Sequence, residues 1–267
     1  MLHRNKLLLL AVPLLWSVLA FAQGGPPMRT DDPGTPGNGN FEINVALGSE
    51  RAASERFFEA PVLDINYGVG DRIQLNYQVS YELRGSDEQA TQSGLGNSSI
   101  AVKWRFYENK KLDLQVSTYP RLDFNNPTSS VDRGLADHGL RFLLPVEVTK
   151  RIGPIDLNAE GGYAWKQYGP DEYITGLAIG REVNKKFEVM AEWYSTGTVD
   201  GVERDMSVGA GTRYRLGEHA MLILMAARGV GRSGIDQPHF IGYGGIQFSF
   251  AGRHNPKAHE KPDAGDR

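Results

Sequence analysis

Ile73, Leu75, Tyr77, Val79, Tyr81 and Leu83 are apolar, and Arg72, Gln74, Asn76, Gln78, Ser80 and Glu82 between them are polar. A period of two sustained this far belongs to an extended strand with one apolar and one polar face, because successive strand side chains point to opposite sides. The pattern recurs at Ile100, Val102, Trp104 and Phe106 against Ser99, Lys103 and Arg105. It recurs again at Leu112, Leu114 and Val116 against Lys111, Asp113 and Gln115, and from Leu140 to Val148 against Arg141 and Glu147. Phe187, Val189, Ala191 and Trp193 oppose Glu188 and Glu192, while Met206, Val208, Ala210, Tyr214 and Leu216 oppose Ser207, Arg213 and Arg215. Weaker alternation fits residues 41–48, 60–67, 155–166, 172–182, 219–229 and 239–250. The expectation is an all-β chain of about twelve strands with no convincing helix.

The connections add a second signal. Short turns at 68–71, 108–110, 150–154, 183–185 and 217–218 alternate with longer segments at 49–59, 84–97, 125–138, 167–171, 195–205 and 230–238. An antiparallel up-and-down transmembrane β-barrel predicts this alternation, with short periplasmic turns and longer outer loops. With an even strand count, both ends of the barrel domain lie on the periplasmic side. Phe41, Tyr67, Trp104, Phe106, Phe187, Tyr214, Phe248 and Phe250 then fall near the periplasmic ends of their strands. Tyr81, Phe124, Phe142, Tyr163, Trp165, Tyr173, Trp193 and Phe240 fall near the outer ends, giving the two aromatic girdles of a barrel in lipid. A secreted β-sandwich explains the alternation but requires neither the alternating loops nor two belts.

Composition removes other classes. After the first 22 residues the longest apolar run is 220–227, far short of the roughly 20 residues of a membrane-spanning helix. A net charge of −3 argues against a nucleic-acid partner. The absence of cysteine removes disulfides, thiol nucleophiles and thiolate metal sites. His3, Arg4 and Lys6, an apolar stretch from Leu7 to Leu19, and Ala20-Phe21-Ala22 have the order of a cleaved export signal. The expected organisation is therefore a signal peptide at 1–22, a Gly/Pro-rich periplasmic arm at 23–40, a barrel at 41–250 and a disordered polar tail at 251–267.

The last strand, with Tyr243, Gly245, Phe248 and Phe250, resembles the C-terminal assembly signal of bacterial outer-membrane barrels, although here a tail follows it. That likeness implies the barrel-assembly machinery as a partner and the outer-membrane lipids as surroundings. A wider resemblance lies in Thr30-Asp31-Asp32-Pro33-Gly34-Thr35-Pro36-Gly37-Asn38-Gly39 followed by Phe41-Glu42-Ile43-Asn44. Leu63 to Leu75 (LDINYGVGDRIQL) and Val102-Lys103-Trp104-Arg105-Phe106 carry it further. These blocks resemble the MetA-pathway of phenol degradation family. The resemblance implies an outer-membrane barrel labelled as a transporter and supplies no catalytic or binding residues.

Function has to be sought on the polar face. Arg72, Lys103, Arg105, Asp113, Arg121, Arg141, Glu147, Glu160, Glu188, Glu192, Arg213 and Arg215 are the candidates for lining and tuning a lumen. Charges facing hydrocarbon would cost about 2–4 kcal/mol each near the midplane, so a wet interior accounts for them. Hairpin folding places Arg105 opposite Asp113 and Glu188 near Arg213, pairs that equally suit a salt-bridged, closed interior. Glu147 and Glu160 are expected as a like-charged pair.

No cofactor or metal is expected. Gly229-Val230-Gly231-Arg232-Ser233-Gly234 matches a dinucleotide fingerprint but lacks the surrounding strand–helix unit. His138 beside Asp137, with Ser129 and Ser130 nearby, sits in a loop, and His254 and His259 lie in the tail. The leading expectation is a passive channel for small solutes, among them aromatic or weakly polar compounds, gated by 125–138 or another long loop. The alternatives are a closed structural barrel with loop-mediated contacts and, less favoured, a lipid-modifying enzyme. Neither the solute nor the oligomeric state follows from the residues.

Overall fold

The computed structural model describes residues 25–87, 90–126, 128–231 and 238–252. The export signal at 1–22, residues 232–234 of the glycine motif and His254 and His259 lie outside the described residues.

Among the described residues, thirteen strand segments form one antiparallel sheet. They are β1 (Asn40–Arg51), β2 (Glu55–Val69), β3 (Ile73–Ser86), β4 (Gln92–Asn109), β5 (Leu114–Thr118), β6 (Arg121–Asn125) and β7 (Arg141–Ile152). The chain continues through β8 (Ile155–Lys166), β9 (Glu172–Asn184), β10 (Phe187–Thr198), β11 (Arg204–Arg215), β12 (Ala220–Gly229) and β13 (Phe240–Ala251). β5 and β6 are two halves of one stave. Both pair with β4 and with β7, and Tyr119-Pro120 interrupts them. The sheet is therefore a twelve-stranded barrel, closed where β1 pairs with β13 from Asn40↔Ala251 to Arg51↔Phe240.

The alternation read from the sequence becomes the inside and the outside. Leu75, Ile100, Val102, Trp104, Phe142, Leu144, Val146, Leu177, Ile179 and Val208 are exposed on the outer face. Asn44, Asn66, Gln74, Lys103, Glu147, Asp156, Asn158, Glu160, Glu188, Glu192, Arg213 and Gln247 are buried on the inner one. A globular domain would invert that distribution; a barrel in hydrocarbon requires it. The girdles also form across strands. Phe41 meets Tyr67 and Phe250 at centroid distances of 4.7 and 5.7 Å, and Trp165 meets Phe142 and Tyr163 at 5.8 and 4.8 Å near the opposite rim.

Three expectations need correction. Segments 49–59 and 84–97 are mostly strand: β1 and β2 run on to Arg51 and from Glu55, β3 runs to Ser86 and β4 begins at Gln92. At the outer edge of the apolar band the ladder persists while the hydrophobic alternation that reveals it fades. Segment 125–138 contains a short helix, α1 (Thr128–Asp132), where none was expected. Leu135 is 3% exposed and lies beside the position a Cβ on Gly94 would take, so this loop folds down against the wall. Of the expected disordered tail, Ala251 completes β13, and the Gly252 amide donates to the Gly39 carbonyl at 2.7 Å.

The outer turn at 167–171 has its own clasp. The Asp171 carboxylate accepts the Lys166 amide at 3.0 Å and the Tyr163 hydroxyl at 2.8 Å, and these donors lower its pKa. Because the folded pKa is depressed, the clasp contributes fully above the ordinary carboxylate value and is lost as pH falls through the lowered one. Hydrogen exchange at the Lys166 amide should therefore stay protected into mild acid. In D171N that pH dependence should disappear.

Candidate functional site

The lumen is occupied. Residues 25–36 were expected in a periplasmic arm, but they rise inside the barrel, where Met28, Thr30, Asp32 and Pro33 are buried. Their foot is fixed at the periplasmic rim. The Gly39 amide donates to the Gly68 carbonyl at 2.9 Å, the Gly70 amide to Asn38 Oδ1 at 2.9 Å, and Thr35 Oγ1 to the Asp71 carbonyl at 3.0 Å. The segment has no periodicity to make a strand, so its backbone groups find partners on the wall instead.

Those partners are the charged side chains that alternation places inward. Glu192 Oε1 accepts the Thr30 amide at 2.5 Å, and Glu160 Oε2 accepts the Asp31 amide at 3.1 Å. Lys103, 3% exposed, donates to Asp31 Oδ1 at 2.8 Å and to the Asp32 carbonyl at 2.5 Å; its Nζ lies 3.8 Å from Glu147 Oε2. Arg213 donates to the carbonyls of Pro26 at 2.7 Å and Gly25 at 3.2 Å, and to Glu188 Oε2 at 3.5 Å. The Arg29 guanidinium lies 4.2 Å from the Tyr194 ring centroid, a cation–π contact.

The arm also has an apolar seat. Met28 clusters with Met190, Met225 and Ala227, with Ile241 and Tyr243 against them. Glycines make room for it. A Cβ on Gly176 would meet Thr30 Oγ1 and stand 3.0 Å from Thr30 Cβ, and one on Gly211 would meet Met28. In register, Gly176 lies opposite Glu160 and Gly209 opposite Glu192, so each acid projects beside a bare stretch of wall.

Apart from Arg105, the candidates named from sequence fall into three groups. Lys103, Glu160, Glu192 and Arg213 hold the arm, with Glu147 and Glu188 as their ionic neighbours. Glu147 and Glu160 are direct cross-strand partners. Ser117 Oγ donates to Glu147 at 2.5 Å, and the arm's amide satisfies Glu160. The second group is paired within the wall: Arg141 binds Glu172 and Asp123, each at 2.9 Å, and Arg121 Nε lies 3.1 Å from Asp123. The third sits at the periplasmic rim, where Arg72, Asp113 and Arg215 are exposed.

Arg105 does not face Asp113. The chain turns at residues 110–113 and not at 108–110, so Asn109 meets Leu114, Glu108 meets Gln115, and Asp113 stays in the turn at φ 46°. Arg105 instead donates to the Asp71 carbonyl at 2.6 Å, with Glu108 3.8 Å from its Nε.

In the last strand, Phe248 and Phe250 face outward, while Tyr243 lines the lumen and Gly245 packs on Ala46 at the β1–β13 seam. The arm itself is what sequence reasoning missed. The available signal was the run of apolar inward positions, Met190, Ile223, Met225 and Ala227, which a wet lumen does not call for.

Cavities lie on both sides of the arm. The outer one, about 420 Å³, is lined by Met28, Arg29, Phe57, Arg121, Tyr194 and Tyr243 among others. The inner one, about 50 Å³, is lined by Asp32, Thr35, Glu42, Gln74 and Gln247 among others. Asp31, Asp64 and Tyr119 border both. The arm thus lies between two cavities of the lumen.

The family model described as "Putative MetA-pathway of phenol degradation" matches residues 26–248, from the arm to the last strand. The chain belongs to this family. Among solved structures it is similar to the COG4313 outer membrane channel from Pseudomonas putida F1, at 12% identity and a TM-score of 0.69. That match covers 82% of this chain and 98% of the channel. It is also similar to the KdgM porin (8% identity, TM-score 0.55, 78% of this chain and 99% of that one). The NanC porin gives 10% identity and a TM-score of 0.56, covering 77% and 98%. At these identities the likeness establishes the barrel fold. No curated protein sequence matches the chain.

Proposed function

We propose that this family member is a bacterial outer-membrane channel for small solutes, closed at rest by its own residues 25–36. The observation that carries the reading is the arm's mode of attachment. It is held largely by side chains reaching from the wall to its backbone, and it divides the interior into two chambers. A barrel needed only as a scaffold would fill its lumen with its own side chains. Three of the solved barrels it resembles are a channel and two porins, which supports the same reading.

In this reading Lys103 and Arg213 clamp the arm, and with Arg105 and Arg141 engaged elsewhere none of the four is free to select anions in the resting state. The outer chamber, with rings from Phe57, Tyr119, Tyr194 and Tyr243 and the cations Arg29 and Arg121, suits a small aromatic or weakly polar solute. The chain is exported on its leader, inserted by the barrel-assembly machinery through β13 and bathed in outer-membrane lipid. It performs no chemistry on its solute.

A closed structural barrel is the second reading, favoured by the density of internal ion pairs. Planar-bilayer recording separates them. The full mature chain should give discrete but brief openings. A heat-modifiable, folded barrel with no step at any voltage would leave only the structural reading.

A further inference from the structure

The outward face sorts charge by sign. On the described strands, every Asp and Glu shares the inward parity, while Arg51, Arg56, Lys150, Arg181, Arg204 and Arg228 share the outward one. Three of these lie in one row. Ala227 pairs with Ile241, so Arg228 comes level with Phe240; Phe240 pairs with Arg51, and Arg51 with Arg56. Adjacent strands are about 4.8 Å apart, so the row spans roughly 15 Å of the outer rim.

The row lies at a definite height. From Phe41 in the periplasmic girdle to Arg51, the strand climbs ten residues. At about 3.4 Å each and a tilt near 40°, that is roughly 26 Å, the thickness of the apolar band. Below the row the wall is apolar: the exposed Phe240 ring lies over Gly242, Leu224 lies against Gly244, and Leu47 and Phe58 are exposed beside Ser49. Arg51 and Arg228 have no acidic partner among the described residues, and Arg56 has only the exposed Asp87 at 2.9 Å.

Guanidinium groups are planar forks that match phosphate oxygens bidentately, and their charge–charge bonds strengthen at the edge of a low-dielectric layer. We propose that the row formed by Arg228, Arg51 and Arg56 binds the phosphates of an outer-leaflet glycolipid of lipid A chemistry, a phosphorylated, multiply acylated disaccharide. Its acyl chains lie along the apolar wall beneath, against Phe240, Leu224 and Leu47. This rests on the reading that the outer strand ends face the outer leaflet.

The test uses the full mature chain in detergent, offered bis-phosphorylated lipid A, its dephosphorylated form or phosphatidylglycerol, with bound lipid counted by native mass spectrometry. Bis-phosphorylated lipid A should bind about tenfold more tightly than either of the others. R51Q/R228Q should lose that preference, and K150Q/R181Q at the other rim should keep it. Heat-modifiable mobility checks folding, and R51K/R228K, which keeps the charge, should bind at an intermediate level. Equal binding by R51Q/R228Q, or equal binding of phosphatidylglycerol, overturns the inference. The chain has no cysteine, so A53C in the exposed β1–β2 turn can be labelled on intact cells. Labelling without lipid A preference sinks the inference alone, whereas no labelling sinks the orientation and the inference with it.

Discussion

Removal of residues 25–36 should convert brief, small openings into a steadily conducting pore, with the single-channel step raised several-fold. The strands begin at Asn40 and close on each other without help from these residues, so the truncated chain should keep its heat-modifiable mobility. A point variant reaches the same state more gently. At Gly176 the three atoms nearest a new Cβ all belong to Thr30, so Gly176→Leu strains the arm first. It should raise open probability without changing the fully open step. Gly211 is a poorer choice, because a Cβ there also stands 2.9 Å from the Leu224 carbonyl of the wall. If the truncated and G176L proteins both gate like the full chain, the arm is not what closes the pore.

Lys103→Met should have the second-largest effect, by a different route. Lys103 is the cation for Asp31 at 2.8 Å and for Glu147 at 3.8 Å, and it is almost wholly buried. Breaking one side of a buried ion pair costs about 3–5 kcal/mol, because the remaining charges lose their compensation. Here the seated arm can escape the cost by carrying Asp31 away. The open-to-closed ratio should therefore rise by about two to three and a half powers of ten, at about 1.4 kcal/mol per decade. Restoring neutrality with K103M/D31N should recover much of the closed state, since the two residues contact each other and their effects should not add. A K103M channel with wild-type dwell times would show that the ion pair is decorative.

The barrel was legible because lipid and a polar lumen impose opposite chemistry on alternate residues. Leu75 and Gln74, or Val146 and Glu147, could hardly be read otherwise. Strand ends were less legible: at the outer edge of the apolar band, Ser49 to Arg51 and Glu55 to Glu59 still pair, but nothing forces their outward positions to be apolar. The Glu188–Arg213 contact followed from simple hairpin folding, whereas Arg105 and Asp113 were separated because the chain turns at residues 110–113 and not at 108–110. The arm was hidden for a deeper reason. Its conformation is set by Glu160, Glu192, Lys103 and Arg213, residues more than seventy positions away, and not by any preference of its own.

The arm's foot, held between Gly68 and Gly252 where the first and last strands meet, makes the stopper a tethered ligand. Its concentration at its own binding site is set by the length of the leash and not by how much protein is present, and short leashes correspond to millimolar values. Closure is therefore a first-order property of one chain: dilution does not open the pore. Each excursion of the arm ends in recapture unless something else takes its place in the lumen. A passing solute then competes with a resident of fixed local concentration, which makes the leash length a dial for the threshold at which the pore begins to pass its cargo.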